Sequence, residues 1–71
     1  MIPIQTDMTG TLCLLQCESG ARVSRGEVIA QIECMKVQFA IEAQADGVIE
    51  WRYDLGEVVG PADVLGYIKE I

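Results

Sequence analysis

Gly20-Ala21-Arg22-Val23-Ser24-Arg25-Gly26-Glu27-Val28-Ile29 returns thirty-six positions later as Gly56-Glu57-Val58-Val59-Gly60-Pro61-Ala62-Asp63-Val64-Leu65, and Ile32 then falls over Ile68. Upstream, Gly10-Thr11-Leu12 lies over Gly47-Val48-Ile49, with one extra residue in the first loop. Each half therefore reads as a glycine, a strand, a glycine turn, a short valine-bearing strand, an acidic turn and a longer strand. A unit this small cannot cover its own apolar face. Two such units facing each other make a small sandwich or a flattened barrel, and closure also hides the strand edges.

The rest of the chain agrees with strands. Val37, Phe39, Ile41 and Ala43 alternate with Gln38, Ala40, Glu42 and Gln44, and Val28, Ala30, Ile32 and Cys34 alternate with Ile29, Gln31, Glu33 and Met35. Ile49, Trp51 and Tyr53 follow the same period of two, which is the signature of a half-buried strand. No helical stripe survives the seven glycines spread along the sequence. The expectation is one all-β domain over residues 1–71, with half-repeats at about 9–33 and 46–69. Phe39, Trp51, Tyr53 and Tyr67 are expected on core or half-buried faces. Glu27 and Asp63 hold equivalent turn positions, so turn chemistry explains them better than catalysis.

Composition excludes several functions. At 71 residues, 51% of them hydrophobic, the chain fills one core and has few walls left for a deep substrate cavity. It has no histidine, so the commonest general base and the commonest metal ligand are both missing. Eleven acidic and five basic side chains leave a net charge of −6, which opposes nucleic acid and anionic membranes. A solvated acidic shell of this kind keeps a small protein soluble and monomeric. Cys13, Cys17 and Cys34 offer no Cys-x-x-Cys pair for a metal and read as free, partly buried thiols. With no basic n-region, no apolar leader and no run of about 20 apolar residues, a cytoplasmic protein is expected.

Between the two halves runs Glu33-Cys34-Met35-Lys36-Val37-Gln38-Phe39, with strands entering and leaving and no glycine, proline or asparagine between them. A hairpin turning at Met35-Lys36 places the lysine at a tip, near the axis relating the halves, with the termini at the opposite end. Most lysines are ordinary solvated side chains. This one stands out through its place at the centre of the repeat and through Met35 beside it.

Glu33-Cys34-Met35-Lys36-Val37 resembles the Glu-Ala-Met-Lys-Met motif of biotin carboxyl carrier domains, in the biotinyl/lipoyl attachment family. Met8-Thr9-Gly10-Thr11-Leu12 and Ala45-Asp46-Gly47-Val48-Ile49 resemble that family's flanking segments, and the similarity runs over nearly the whole chain. The resemblance implies a flattened β-barrel of two four-stranded antiparallel sheets with Lys36 at a hairpin tip. It implies covalent biotin on Lys36, placed there by a biotin protein ligase that reads Met35, Val37 and Cys34. It further implies a non-catalytic carrier component, moving a carboxyl group between a biotin carboxylase and a carboxyltransferase. Lysine is protonated at neutral pH and must lose that proton before attacking an acyl donor, and the domain offers no base for this.

Four departures qualify the resemblance. Lipoyl domains typically carry Asp-Lys-Ala at this turn; Met35 matches the biotin pattern, yet Val37 stands where biotin domains usually have methionine. Cys34 for alanine is a small apolar change. The loop Gln16-Cys17-Glu18-Ser19-Gly20 is too short for the protruding thumb of some bacterial relatives, and the Pro/Ala-rich tether is absent, which fits either a separate diffusing carrier or a piece of a longer protein. A lipoyl carrier and an unmodified interaction module remain alternatives.

Overall fold

The computed structural model describes residues 1–71 as eight strands: β1 (Ile2–Ile4), β2 (Gly10–Leu15), β3 (Arg22–Val23), β4 (Val28–Cys34), β5 (Val37–Glu42), β6 (Gly47–Trp51), β7 (Val58–Val59) and β8 (Gly66–Glu70). They form two four-stranded sheets, ordered β1-β8-β6-β3 and β5-β4-β2-β7, antiparallel throughout. Each sheet takes two strands from the first half of the chain and two from the second. Exchanging β1–β4 for β5–β8 turns one strand order into the other, which is the two-fold relation anticipated from the repeat. β1 and β5, outside the recognised repeats, occupy the equivalent edges of the two sheets.

Eleven buried residues fill the space between the sheets, among them Leu12, Ile32, Ile49 and Ile68, each 0–1% exposed. Leu12 faces Ile32 across β2 and β4 as Ile49 faces Ile68 across β6 and β8. The glycine beginning each of these pairs is there for space. A Cβ on Gly10 would strike the Glu33 carbonyl and the Ile32 side chain, and one on Gly47 would strike the Lys69 carbonyl and the Ile68 side chain.

Three details differ from the sequence reading. The extra residue of the first half does not lie in a loop: it is Cys13, bulged out of β2 between Leu12 and Leu14. A second bulge follows Val28, so the alternation slips and Ile29 is buried beside Ala30, leaving Val28 half-exposed. Such insertions shift the register by one residue and turn the next side chain to the other face. Third, Phe39 is neither core nor half-buried. It is 40% exposed and Val37 is 53% exposed, because β5 is an edge strand and Phe39 lines an open cleft beside it. Trp51, Tyr53 and Tyr67 are half-buried as expected.

The repeated turns confirm their chemistry. The Glu27 carboxylate accepts a hydrogen bond from the Ser24 N–H at 3.1 Å, and Asp63 accepts one from the Gly60 N–H at 2.7 Å. Tyr53 donates its hydroxyl proton to the other Asp63 oxygen at 2.9 Å. That bond, aided by burial and by nearby carboxylate charge, raises the Tyr53 phenol above its ordinary value.

Two predictions follow from this packing. Gly47→Ala should lower stability by about 2 kcal/mol, within the usual range for forcing a methyl group into a filled site. Urea denaturation reads this as a lowered midpoint at constant slope, and an unchanged midpoint would sink the close-approach argument. Because the Tyr53 pKa is raised on folding, its contribution is complete below the unfolded value of about 10 and disappears as pH climbs through the folded one. Tyr53→Phe should therefore lose stability less steeply above that pH than wild type in pH-dependent melting; parallel curves would contradict it.

Candidate functional site: the Met35-Lys36 turn

β4 and β5 form the longest hairpin of the chain. Cys34 pairs with Val37, so the turn consists of Met35 and Lys36 alone. Both lie in the left-handed region, with φ of 50° and 66°. Two successive left-handed residues make a type I′ turn, whose twist matches that of the strands it joins. Asn-Gly is the usual sequence there, since a Cβ in this conformation costs about 1–2 kcal/mol per residue. Nothing local prescribes the turn. Six paired positions, from Val28↔Glu42 to Cys34↔Val37, carry the chain into it and hold the strain.

The expected site residues divide cleanly. Met35 is 92% exposed, Lys36 is exposed, and together they form the tip. Cys34, half-buried, and Val37, exposed, form its base, with exposed Glu33 one step behind. The far end of the hairpin is Glu42, and five residues later Gly47 pairs with Glu70. The termini therefore lie at the other end of a molecule 36 Å long and 18–19 Å across.

An open cleft of about 650 Å³ lies between β5 and the segment Pro3–Met8. Its apolar wall includes Ile4, Met8, Ile32, Phe39, Ile41 and Ile68. A chain of this size was not expected to spare walls for such a space; the opposite wall is made by β1, the segment after it and Ile68 of β8. Sequence reasoning missed it, since β5 alternates like any half-buried strand. Asp7 and Glu42 also border it, without a histidine, cysteine or lysine.

No nucleophile and base are paired at the tip. Cys17 lies elsewhere, under Trp51, whose indole N–H donates to the Cys17 carbonyl at 2.8 Å. Burial first, and the Glu27 charge second, raise the Cys17 thiol above its ordinary value, which suits a packed side chain and not a reactive one. No three histidine, cysteine, aspartate or glutamate side chains come together as metal ligands. What the tip offers is an amine on a braced, protruding turn.

Known proteins match this architecture. The sequence profile of the biotin/lipoyl family, described as "Biotin-requiring enzyme", matches residues 2–68. An acetyl-CoA carboxylase of Cryptosporiopsis sp. (strain 8999) is 37% identical over 65 residues, covering 92% of this chain and 3% of that protein. The mitochondrial acetyl-CoA carboxylase of Saccharomyces cerevisiae (strain ATCC 204508 / S288c) is 38% identical over 56 residues, 79% of this chain and 2% of its own. The lipoyl domain of the Azotobacter vinelandii 2-oxoglutarate dehydrogenase complex superposes with a TM-score of 0.83 at 32% identity, covering 99% of this chain and 98% of that one. Kluyveromyces lactis urea carboxylase shares the fold, with a TM-score of 0.85 at 22% identity over 94% of this chain and 6% of its own. The chain thus spans only 2–3% of the curated carboxylases it matches. It belongs to the biotin/lipoyl family, as a small all-β carrier domain related to a segment of acetyl-CoA carboxylases.

Proposed function

We propose that Lys36 carries covalent biotin and that the domain moves a carboxyl group between a biotin carboxylase and a carboxyltransferase. One observation bears most of this reading: a lysine in a protruding, strained turn, preceded by a methionine that packs against nothing. An unpacked, 92% exposed apolar side chain beside an amine has no use in the fold, and it suits recognition by a second protein. The tip fits the group, because the amine is exposed and its neighbours are small or mobile enough to enter a ligase cleft.

Attachment requires one balanced step. The neutral Lys36 Nζ attacks the acyl carbon of biotinyl-adenylate held by the ligase. The new amide bond forms as the acyl–phosphate C–O bond breaks and AMP departs. The proton leaving Nζ goes to a base on the ligase, since the turn offers none. Biotin, once bound, supplies the nitrogen that bears the carboxyl group. The domain's own residues then present and orient: the β4–β5 ladder fixes the direction of the tip, and the flexible lysine stem provides the swing.

Lipoate is the second reading, favoured by the 32% identity to a lipoyl domain of nearly the same length and by Val37 in place of methionine. The two readings separate at Met35, which stands where lipoyl domains carry a carboxylate.

Intact mass after co-expression with a biotin protein ligase should show one biotinyl group on wild type and none on Lys36→Arg. A lipoyl gain with a lipoate ligase, and no biotinyl gain, would replace biotin by lipoate. No gain with either would remove the carrier reading. Met35→Asn should raise stability by about 1 kcal/mol, because asparagine tolerates the left-handed conformation, while slowing biotin acceptance. A variant that is biotinylated at the wild-type rate would show that Met35 takes no part in recognition.

A further inference from the structure

The two equivalent sheet edges are not protected alike. On β1, Pro3 pairs with Tyr67, and at the matching place on β5, Ala40 pairs with Gln31. Proline has no N–H to offer an incoming strand, and it is a common guard of exposed edges. β1 is also only three residues long, and β3 and β7 only two each. β5 has six residues, of which Val37 to Ile41 are uncharged.

The turn fixes which backbone groups of β5 are free. In a two-residue hairpin the pair flanking the turn exchanges hydrogen bonds, and alternate pairs do so thereafter. Cys34↔Val37, Ile32↔Phe39 and Ala30↔Ile41 are therefore the bonded pairs. The N–H and C=O groups of Gln38 and Ala40 point away from the sheet. The acidic shell expected to keep the chain monomeric borders this stretch, through Glu33 opposite Gln38 and through Asp7 and Glu42 at the cleft, but places no carboxylate on it between Val37 and Ile41.

We infer that β5 pairs with β5 of a second copy of this chain, antiparallel, in the register that sets Phe39 against Phe39. Several independent features agree on that one register. It opposes Gln38 to Ala40 on either side of the axis, so that their free N–H and C=O groups form four hydrogen bonds. It sets Val37 against Ile41, and all three apolar pairs fall on the core-facing side of the strand, over the cleft's open wall. At each end it brings Lys36 of one copy opposite Glu42 of the other, which matches a cation to an anion. A shift of two residues loses that charge match at both ends. The contact is isologous and closes on two chains. A single strand pair falls short of the ~1,200 Å² of a stable interface, so the dimer is weak and forms at high concentration. Its further consequence rests on the function proposed above: a paired chain holds Lys36 against Glu42, and a ligase must compete for the acceptor.

Sedimentation equilibrium of the unmodified chain, from about 10 μM to about 1 mM, tests the pairing without reference to any cofactor; this range covers weak, small interfaces. The average mass should rise from that of one chain towards twice that value. Ala40→Pro should stay single over the whole range, and the fold already accepts proline at the equivalent Pro3. Glu42→Lys should weaken association, and Lys36→Glu combined with Glu42→Lys should restore it. A wild-type mass that stays single at all concentrations overturns the inference. So does association that Ala40→Pro leaves intact, or a double charge reversal that fails to recover it. If the wild type stays single but binds a ligase through β5 and loses that binding in Ala40→Pro, the edge serves a different partner and the second copy is excluded.

Discussion

Each sheet of this domain is completed by strands from the other half of the chain, and the whole structure depends on that interleaving. β2 and β4 cover one side of the core only after β5 and β7 have joined them, and β6 and β8 likewise require β1 and β3. Leu12, Ile32, Ile49 and Ile68 leave water together or not at all. Folding should therefore be a single cooperative event for so short a chain, because neither half has a face it can bury first. The glycines at 10 and 47 belong to the same constraint. They let one strand lie directly on the side chain and carbonyl of its neighbour, bringing the central strands close enough to pack two isoleucines between the sheets.

The two-fold relation carries the Met35-Lys36 end onto the end that holds the termini. Lys36 therefore lies at an end and not near the axis as expected, and chain connectivity alone makes the two ends unequal. At one end the equivalent strands are open, with β8 and β1 running out as the termini. At the other, β4 and β5 are joined by two residues. The chain must cross that gap in two steps, and only successive left-handed residues do so with the strand twist intact. Methionine and lysine are held there against their preference by the ladder behind them. The six-pair ladder behind the tip fixes the backbone from which the exposed amine is displayed.

Much of this was legible in the residues, and the failures have physical causes. The glycine-valine-acid spacing located the paired turns, and the carboxylates of Glu27 and Asp63 do bond to the N–H groups three residues before them. The tip was found from its central position, not from its composition, since a type I′ turn normally announces itself with asparagine and glycine. The extra residue at Cys13 shows in the repeat count but not its place, and the bulge at Ile29 does not show at all, because a bulge changes the count of a strand without changing its character. β1 and β5 escaped the repeat because Pro3 and Ala40, and Ile2 and Phe39, share a place but little chemistry. The exposure of Phe39 was misread for a general reason. Alternation reports which way a side chain points, and whether anything covers it is decided by a strand in the other sheet.

The Met35-Lys36 turn is a part of the molecule that the packed core does not use. A lipoyl domain shares this architecture at 32% identity, and segments of acetyl-CoA carboxylases are 37–38% identical to the chain, so the packed interior accepts wide changes of sequence. The side chain before the lysine has no core contact to lose. Exchanging methionine and aspartate there alters charge and shape in solvent while leaving the ladder, the core and the paired turns in place. The strain of the turn is a backbone property, and aspartate, which tolerates the left-handed region, bears it more easily than methionine. A scaffold whose stability depends on Leu12, Ile49 and their partners can therefore display different side chains at positions 35 and 37 without refolding. The turn, unlike the barrel, is therefore free to change its side chains while the core stays as it is.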